Sequence, residues 1–145
     1  MKTMIYEGDL KGAYEAPAGY DLPCKRIEFL NDFNFESGLL EGRIFTGVKL
    51  QLPNGIFGVI KPRSSALRRG FIVIEGVIDS DYRGELIIQF LATEKAMEEL
   101  KKDNIKSFAQ IVFFNSPQIR LVKGAVAKET KRGTKGFGSS DKEEK

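Results

Sequence analysis

The stretch Glu-Gly-Val-Ile-Asp-Ser-Asp-Tyr-Arg-Gly, residues 75 to 84, lies between two apolar runs that are rich in β-branched residues. These runs, Phe71 to Ile74 and Leu86 to Phe90, have the composition of strands. The sequence therefore predicts two strands that flank a turn at residues 79 to 82. The rest of the chain repeats this alternation of short apolar runs and turn residues.

The turn of this hairpin carries one acid and one aromatic ring that suit a small planar ligand. Asp79 follows directly on Ile78, so we expect its carboxylate to be partly shielded from water beside Tyr82. Shielding a charge costs free energy unless a ligand, a metal ion or water makes use of it. The alternative is an aspartate that only caps the turn through its own hydrogen bonds.

Further short apolar runs are separated by glycine, proline and asparagine, as at Pro53-Asn54-Gly55 and Asn115-Ser116-Pro117. The predicted additional strands are Arg43 to Leu50, Ile56 to Ile60, Phe108 to Phe114 and Ile119 to Val122. Many short strands joined by tight turns indicate an all-β sandwich, barrel or jelly roll.

One segment has helical spacing. Thr93 to Asp103 combines an N-cap threonine with an acidic first turn and a basic end, which predicts a surface helix inserted between strands. From Lys123 onward the composition shifts to Lys, Glu, Gly, Thr and Ser. We therefore expect a domain at residues 1–122 and a flexible glycine-rich arm at 123–145.

Composition excludes several classes of chemistry. The chain of 145 residues suits one domain, and its net charge of +3 does not by itself indicate nucleic acid. It has no histidine and a single cysteine, Cys24, so zinc sites, catalytic triads and internal disulfides lack their residues. Charged residues interrupt Met1 to Ala16, and no apolar run reaches membrane-spanning length, which predicts a soluble, cytoplasmic protein without a membrane partner.

Two stretches suit anions. Lys61-Pro62-Arg63-Ser64-Ser65 offers a guanidinium fork and hydroxyl donors, although a basic surface turn would read the same way. In the arm, residues 132 to 140 set Phe137 among glycines beside Arg132 and Lys135, as in an arm that closes over a nucleotide. A plain solvated terminus is the alternative, and the Gly-Lys-Ser/Thr of a P-loop is missing.

Taken in order, five segments resemble the motifs of the trimeric deoxyuridine triphosphate nucleotidohydrolase (dUTPase) family. They are Ala18-Gly19-Tyr20-Asp21-Leu22, Pro62-Arg63-Ser64-Ser65, Gly76-Val77-Ile78-Asp79-Ser80-Asp81-Tyr82-Arg83-Gly84, Ala109-Gln110 and Arg132-Gly133-Thr134-Lys135-Gly136-Phe137-Gly138-Ser139. The resemblance implies a distorted β jelly roll, a homotrimer with active sites at subunit interfaces, and Mg²⁺-dependent hydrolysis of dUTP to dUMP and pyrophosphate. That reaction keeps uracil out of DNA and supplies dUMP for thymidylate synthesis.

Carried over to this sequence, the resemblance implies a role for each site residue. Asp79 would orient and deprotonate the attacking water, and Tyr82 would pack on the deoxyribose and leave no space for a 2′-hydroxyl. Backbone groups would pair with the uracil edge at Gly76, Val77, Ile78 and Ile87. A normal aspartate has a pKa of about 3.9 and is a weak base, so alignment of the water must supply much of the rate.

The remaining implied roles concern the phosphates. Arg63, Ser64 and Ser65 would hold them, with Ser64 nearest the bond that breaks. Asp21 and Gln110 would grip waters on a magnesium ion chelated by the triphosphate, which suits an ion that dehydrates reluctantly. In the arm, Phe137 would stack on the uracil, Arg132 would pair with the terminal phosphate, and Gly138 would belong to the same substrate-binding segment.

Some residues depart from the family pattern, and two rival functions stay open. Ile105-Lys106-Ser107-Phe108 replaces the usual lead into the fourth motif, and Val73 stands where a polar residue is common. A dCTP deaminase, or a bifunctional enzyme, is the first rival, but it needs a glutamate where Gln89 stands, and an amide cannot act as that acid or base. The second is a non-catalytic nucleotide sensor or nucleic-acid binder, whose basic stripe would be broken by acids such as Glu129.

Overall fold

The computed structural model describes residues 1–12, 17–31, 36–101 and 107–138. Within these ranges the chain forms strands and one α-helix. The elements are β1 (Ile5–Glu7), β2 (Lys11–Gly12), β3 (Gly19–Leu22), β4 (Arg26–Phe29), β5 (Leu40–Phe45), β6 (Lys49–Gln51), β7 (Ile56–Pro62), β8 (Phe71–Ile74), β9 (Gly76–Ile78), β10 (Ile87–Ala92), α1 (Glu94–Lys101) and β11 (Ala109–Asn115). A single 3-10 turn at Leu67–Arg69 precedes β8.

The strands form a four-stranded sheet in the order β4-β5-β10-β8 and a five-stranded sheet in the order β2-β3-β11-β7-β9. The pair β1 and β6 forms a separate two-stranded ribbon. All strand pairs are antiparallel, which agrees with the predicted all-β sandwich or jelly roll. The short strands β1 to β4 were missed in the sequence because each is two to four residues long.

Three phenylalanine rings join the two sheets at the centre of the core. Phe71 and Phe108 stack with ring centroids 4.1 Å apart, and Phe90 packs edge-on against both at 5.8 Å. All three rings are almost fully buried. Because Phe71 and Phe90 come from the four-stranded sheet and Phe108 leads into β11, this cluster fixes one sheet on the other.

The hairpin around residues 75 to 84 differs from the prediction. Its arms β8 and β10 pair as expected, with Gln89 opposite Ile74. After Glu75, however, β9 leaves that sheet and pairs with β7 of the other sheet, with Gly76 opposite Ile60. The turn itself is present, since the amide of Tyr82 donates to the carbonyl oxygen of Asp79 at 3.1 Å. The hairpin tip therefore spans the gap between the two sheets.

Two other strand predictions are wrong. The run Arg43 to Leu50 is divided into β5 and β6 at Gly47, which adopts φ +70°. Ile119 to Val122 is not a strand: Ile119, Leu121 and Val122 are 69%, 92% and 80% exposed. The segment has a β-type composition, but no strand in the described part of this chain pairs with it. Backbone pairing therefore does not form there.

The predicted helix is confirmed over the residues that the structure describes. α1 begins after Thr93, whose Oγ1 accepts a hydrogen bond from the amide of Ala96 at 3.4 Å and donates one to the carbonyl oxygen of Gly70 at 2.9 Å. Ala96 is fully buried, and the helix lies between β10 and β11 in the chain. The end of the prediction, Lys102 and Asp103, lies outside the described residues.

Candidate active site

A cleft of about 230 Å³ opens at the hairpin tip. Its lining residues are Val77, Ile78, Asp79, Tyr82, Glu85 and Ile87. The structure therefore brings together the predicted base, the predicted ring and three of the predicted uracil contacts. The Asp79 side chain is exposed rather than shielded as the sequence led us to expect, because it lies in the turn directly after the end of β9.

The Tyr82 ring is held in place by its own loop. Its hydroxyl donates to the carbonyl oxygen of Glu85 at 2.9 Å. A Cβ atom on Gly84 would lie 2.4 Å from that hydroxyl oxygen and 2.6 Å from Cζ, so the ring packs directly on the glycine backbone. The Tyr82 residue is 42% exposed and lines the cleft, so part of its surface is available to a ligand.

Glu85 was not singled out in the sequence. Its Oε2 accepts a hydrogen bond from the amide of Gly47 at 2.8 Å, which ties the hairpin to the loop that follows β5. The neighbouring amide of Leu86 donates to the carbonyl oxygen of Val48 at 2.8 Å. A turn glutamate before an apolar strand carries no sequence signal for this role, because its partner lies 38 residues away.

A second, larger cavity of about 360 Å³ continues along the same hairpin toward its base. Its lining residues are Arg43, Ile60, Ile74, Glu75, Gly76, Ile78, Ile87 and Gln89. It shares Ile78 and Ile87 with the tip cleft and includes Gly76, the remaining predicted uracil contact. Arg43, which faces Gln89 across the β5–β10 register, was not singled out from the sequence.

A second cluster joins three other predicted site residues around the end of β7. Arg63 Nε lies 3.1 Å from Asp21 Oδ1, and its Nη1 donates to the carbonyl oxygen of Ser107 at 3.2 Å. Gln110 faces Asp21 across the β3–β11 register and donates from Nε2 to the carbonyl oxygen of Pro62 at 3.1 Å. We call these three residues, together with Ser64, which follows Arg63 in the chain, the arginine corner.

Backbone contacts shape the arginine corner further. The amide of Arg63 donates to the carbonyl oxygen of Phe108 at 2.9 Å, and the amide of Ala66 donates back to the carbonyl oxygen of Arg63 at 3.0 Å. This turn leaves Ser64 exposed and Ser65 half-buried. A Cβ on Gly19 would lie 2.2 Å from Gln110 Oε1, so only a glycine leaves room for that amide in its present position.

The hairpin tip and the arginine corner are well separated within one chain. The register pairs Ile78 with Gly58, so the next step along it places Asp79 beside Phe57. Arg63, which directly follows the end of β7, lies six residues beyond Phe57, and at about 3.3 Å per strand residue the gap is on the order of 20 Å. A single chain therefore does not bring Asp79 to Arg63 and Ser64.

The described part of the arm stands apart from both clefts. Every residue from 117 to 138 is exposed, and Phe137 has no burial at all. Arg132 Nε donates to the carbonyl oxygen of Lys135 at 2.7 Å, and Gly138 adopts φ +79°. Arg132, Phe137 and Gly138 line neither cleft, and residues 139 to 145 of the predicted arm lie outside the described residues.

The side-chain oxygen atoms of Asp21 and Gln110 fit a metal ion that keeps its water ligands better than one that the protein coordinates directly. In residues 1–12, 17–31, 36–101 and 107–138 no group of three or more His, Cys, Asp or Glu side chains could hold a metal ion. Asp21 and Gln110 offer one carboxylate and one amide, and Asp21 already contacts Arg63. Such a pair suits Mg²⁺, which keeps several water ligands and takes others from phosphates.

Burial raises the pKa of the Cys24 thiol, so it stays protonated at neutral pH and is a poor nucleophile. Among the described residues, no helix is long and apolar enough to span a membrane.

The described chain is an antiparallel β sandwich with Asp79 and Tyr82 on one cleft and the arginine corner elsewhere. A family model described as dUTPase matches residues 8–141. The deoxyuridine 5′-triphosphate nucleotidohydrolase of Paramecium bursaria Chlorella virus 1 is 42% identical over 101 residues, which are 67% of this chain and 68% of that protein. That of Clostridium novyi (strain NT) is 35% identical over 131 residues, 88% of this chain and 87% of that protein.

Solved structures agree on the fold. The G164S mutant of the Staphylococcus bacteriophage 80alpha dUTPase, solved with dUpNHpp, superposes with a TM-score of 0.70 over 97% of this chain and 99% of that one, at 21% identity. The chain belongs to the dUTPase family, and its fold is the jelly-roll-like fold of that family. It is a nucleotide hydrolase of the dUTP nucleotidohydrolase class.

Proposed function

We propose that the protein hydrolyses dUTP to dUMP and pyrophosphate through a water that Asp79 orients and deprotonates at the α-phosphorus. The observation that carries this mechanism is the position of Asp79 and Tyr82 on the rim of one cleft. An exposed carboxylate at the cleft mouth can reach a bound water without first losing a partner. Because carboxylates are weak bases, most of the rate comes from alignment of this water and from charge neutralisation around the phosphates.

The nucleoside half of the substrate would occupy the hairpin. Tyr82 would pack on the deoxyribose, where a ring fixed by Gly84 leaves no room for a 2′-hydroxyl. Backbone groups of Gly76, Val77, Ile78 and Ile87 would pair with the uracil edge. The exposed Val77 side chain and the shared position of Ile78 and Ile87 between the two cavities support this path for the base.

The phosphates would be held by Arg63, Ser64 and Ser65, because a guanidinium fork binds phosphate oxygens in pairs. A magnesium ion chelated by the triphosphate, with Asp21 and Gln110 contacting its waters, would neutralise charge that develops on the phosphates. Phe137 would stack on the base, Arg132 would pair with the terminal phosphate, and Gly138 would let the arm, residues 123–145, approach closely over the 1–122 domain. A DNA precursor as substrate favours a cytoplasmic location.

A direct assay tests the reaction itself. The protein is incubated with Mg²⁺ and either dUTP or dCTP, and pyrophosphate and ammonia are both followed. We expect pyrophosphate from dUTP and no ammonia from either nucleotide, since Gln89 cannot transfer protons at a cytosine ring. Ammonia from dCTP would establish the deaminase instead. Binding of dUTP without release of either product would indicate a non-catalytic nucleotide sensor.

We further propose that each complete site is shared between copies in a homotrimer. The gap on the order of 20 Å between Asp79 and Arg63 on one chain supports this, since both groups must reach the same triphosphate. Closed symmetric assemblies repeat such a shared site at every interface. The exposed apolar residues Ile119, Leu121 and Val122 near the arm also suit contact with another copy.

Complementation tests the shared site. Asp79→Asn and Arg63→Ala chains are each expected to be nearly inactive alone, but co-expressed with different tags and purified as mixed assemblies they should recover activity. If the two groups come from different chains and mix at random, about one quarter of the sites combine both intact residues.

A matched mixture of Asp79→Asn with wild type measures the activity expected when only one group is diluted. If mixed assemblies of the two variants stay inactive although both tags are present, Asp79 and Arg63 act within the same chain. The shared-site proposal would then be wrong, while hydrolysis of dUTP by the wild-type protein would stand.

A further inference from the structure

The cavity at the base of the hairpin is lined by an arginine, Arg43, whose guanidinium has no hydrogen-bond partner among the described residues. Its Nε is buried. A guanidinium carries only donors, and a buried donor without an acceptor is costly. Native structures leave few such groups, and each calls for a physical explanation. The cavity that Arg43 lines, about 360 Å³ in volume, lies within the size range of small-molecule sites.

The order of residues along the hairpin shows which part of a nucleotide would reach this donor. Asp79 and Tyr82 lie at the tip, and Ile78 and Ile87 line both cavities. Gly76 and Gln89 follow toward the base of the hairpin, where Gln89 faces Arg43 in register. A nucleotide with its α-phosphate at the tip and its sugar on Tyr82 therefore directs its base into the larger cavity.

The geometry of the pyrimidine ring determines which atom of the base lies nearest to Arg43. The sugar is attached at N1, and C4 lies directly across the ring, so the substituent at C4 enters the cavity furthest. In uracil that substituent is the acceptor O4, whereas in cytosine it is an amino group that only donates. We propose that the Arg43 guanidinium donates a hydrogen bond through a terminal amino group to O4 and thereby contributes to selection of uracil over cytosine. This inference rests on the proposed function of the hairpin site.

The neighbours of Arg43 are consistent with this role. Glu75 also lines the cavity, but its Oε1 accepts a hydrogen bond from Lys61 Nζ at 2.8 Å and is thereby held toward β7. Gln89 can both donate and accept, so its amide adapts to either base and cannot discriminate alone. The guanidinium only donates hydrogen bonds, and so does the amino group of cytosine. Two donors that face each other form no hydrogen bond, which disfavours cytosine.

The test compares two substrates in the same variant. Arg43→Met keeps a long apolar stem and removes the donor, and we expect the ratio of kcat/KM for dUTP to that for dCTP to fall on the order of 10 to 100-fold. The ratio cancels any loss of folded or assembled protein. Arg43→Gln, which keeps a neutral donor, should lose less. Arg26→Met is the matched control, because Arg26 stacks on Phe45 at 3.8 Å on the same sheet without lining the cavity.

The outcomes separate this inference from the proposed function. If wild type hydrolyses dUTP and the ratio is unchanged in Arg43→Met, the role of Arg43 is wrong and the hydrolase stands. The same holds if Arg43→Met alters only the sedimentation coefficient, since Arg43 would then meet its acceptor in another copy. If wild type releases no pyrophosphate from dUTP, both the function and this inference fail.

Discussion

Asp79→Asn is expected to lower kcat on dUTP by about 10² to 10⁴-fold, the usual contribution of a general base, with little change in nucleotide affinity. The amide has the size of the carboxylate, so the exposed turn should keep its shape and its hydrogen bond from the Tyr82 amide. Removing a negative charge beside a triphosphate leaves affinity equal or slightly higher. Steady-state kinetics give kcat, and calorimetric titration of the variant with dUTP gives Kd.

Asp81→Asn is the control for this variant. Asp81 lies two residues further along the same exposed turn and lines neither cavity, so the same loss of charge there should change kcat by no more than a few-fold. If Asp79→Asn turns over within a few-fold of wild type, or if only its KM changes, Asp79 does not act as the base. The attacking water would then have to be aligned by other groups.

Phe108→Ala should lower the free energy of unfolding by about 3 to 5 kcal/mol, as large-to-small changes at buried aromatic residues do. The Phe108 ring is 1% exposed and stacks on Phe71 at 4.1 Å, so truncation leaves a cavity between the two sheets. Urea denaturation measures the change. Wild type and variant are compared at one chain concentration, because assembly stabilises the folded state by mass action.

Phe114→Ala provides the matched control for the core. Phe114 also stacks on a ring, that of Phe57 at 5.5 Å, but it is 41% exposed at the end of β11. Truncation there should cost about 1 kcal/mol or less, because little apolar surface leaves the interior. Equal losses for the two variants would contradict the placement of the inter-sheet core at Phe108.

The Phe108 variant also probes the link from core to site. The carbonyl oxygen of Phe108 accepts the hydrogen bond from the Arg63 amide at 2.9 Å, so the residue that stacks in the core also sets the start of the arginine corner. The arginine corner thus depends on core packing, whereas the exposed Asp79 turn is held by hydrogen bonds within its own loop.

Local chemistry made several features predictable from sequence. Asp79 and Tyr82 follow an apolar strand with turn residues, and Thr93 precedes a helical pattern, so short-range rules placed both correctly. The same rules gave a wrong strand at Ile119 to Val122, since β-type composition cannot specify whether a pairing partner exists. They also gave a shielded Asp79, because burial depends on neighbours distant in sequence.

The sequence by itself determined which residue types are available: an acid, a ring, an arginine with serines, and a glycine-rich arm, in the order that marks the dUTPase family. Only the tertiary structure decided how they are distributed in space. The transfer of β9 to the second sheet carries Asp79 away from Arg63 and opens the cavity at Arg43. Strand pairing joins residues that are distant in the chain, and neither composition nor local spacing encodes that register.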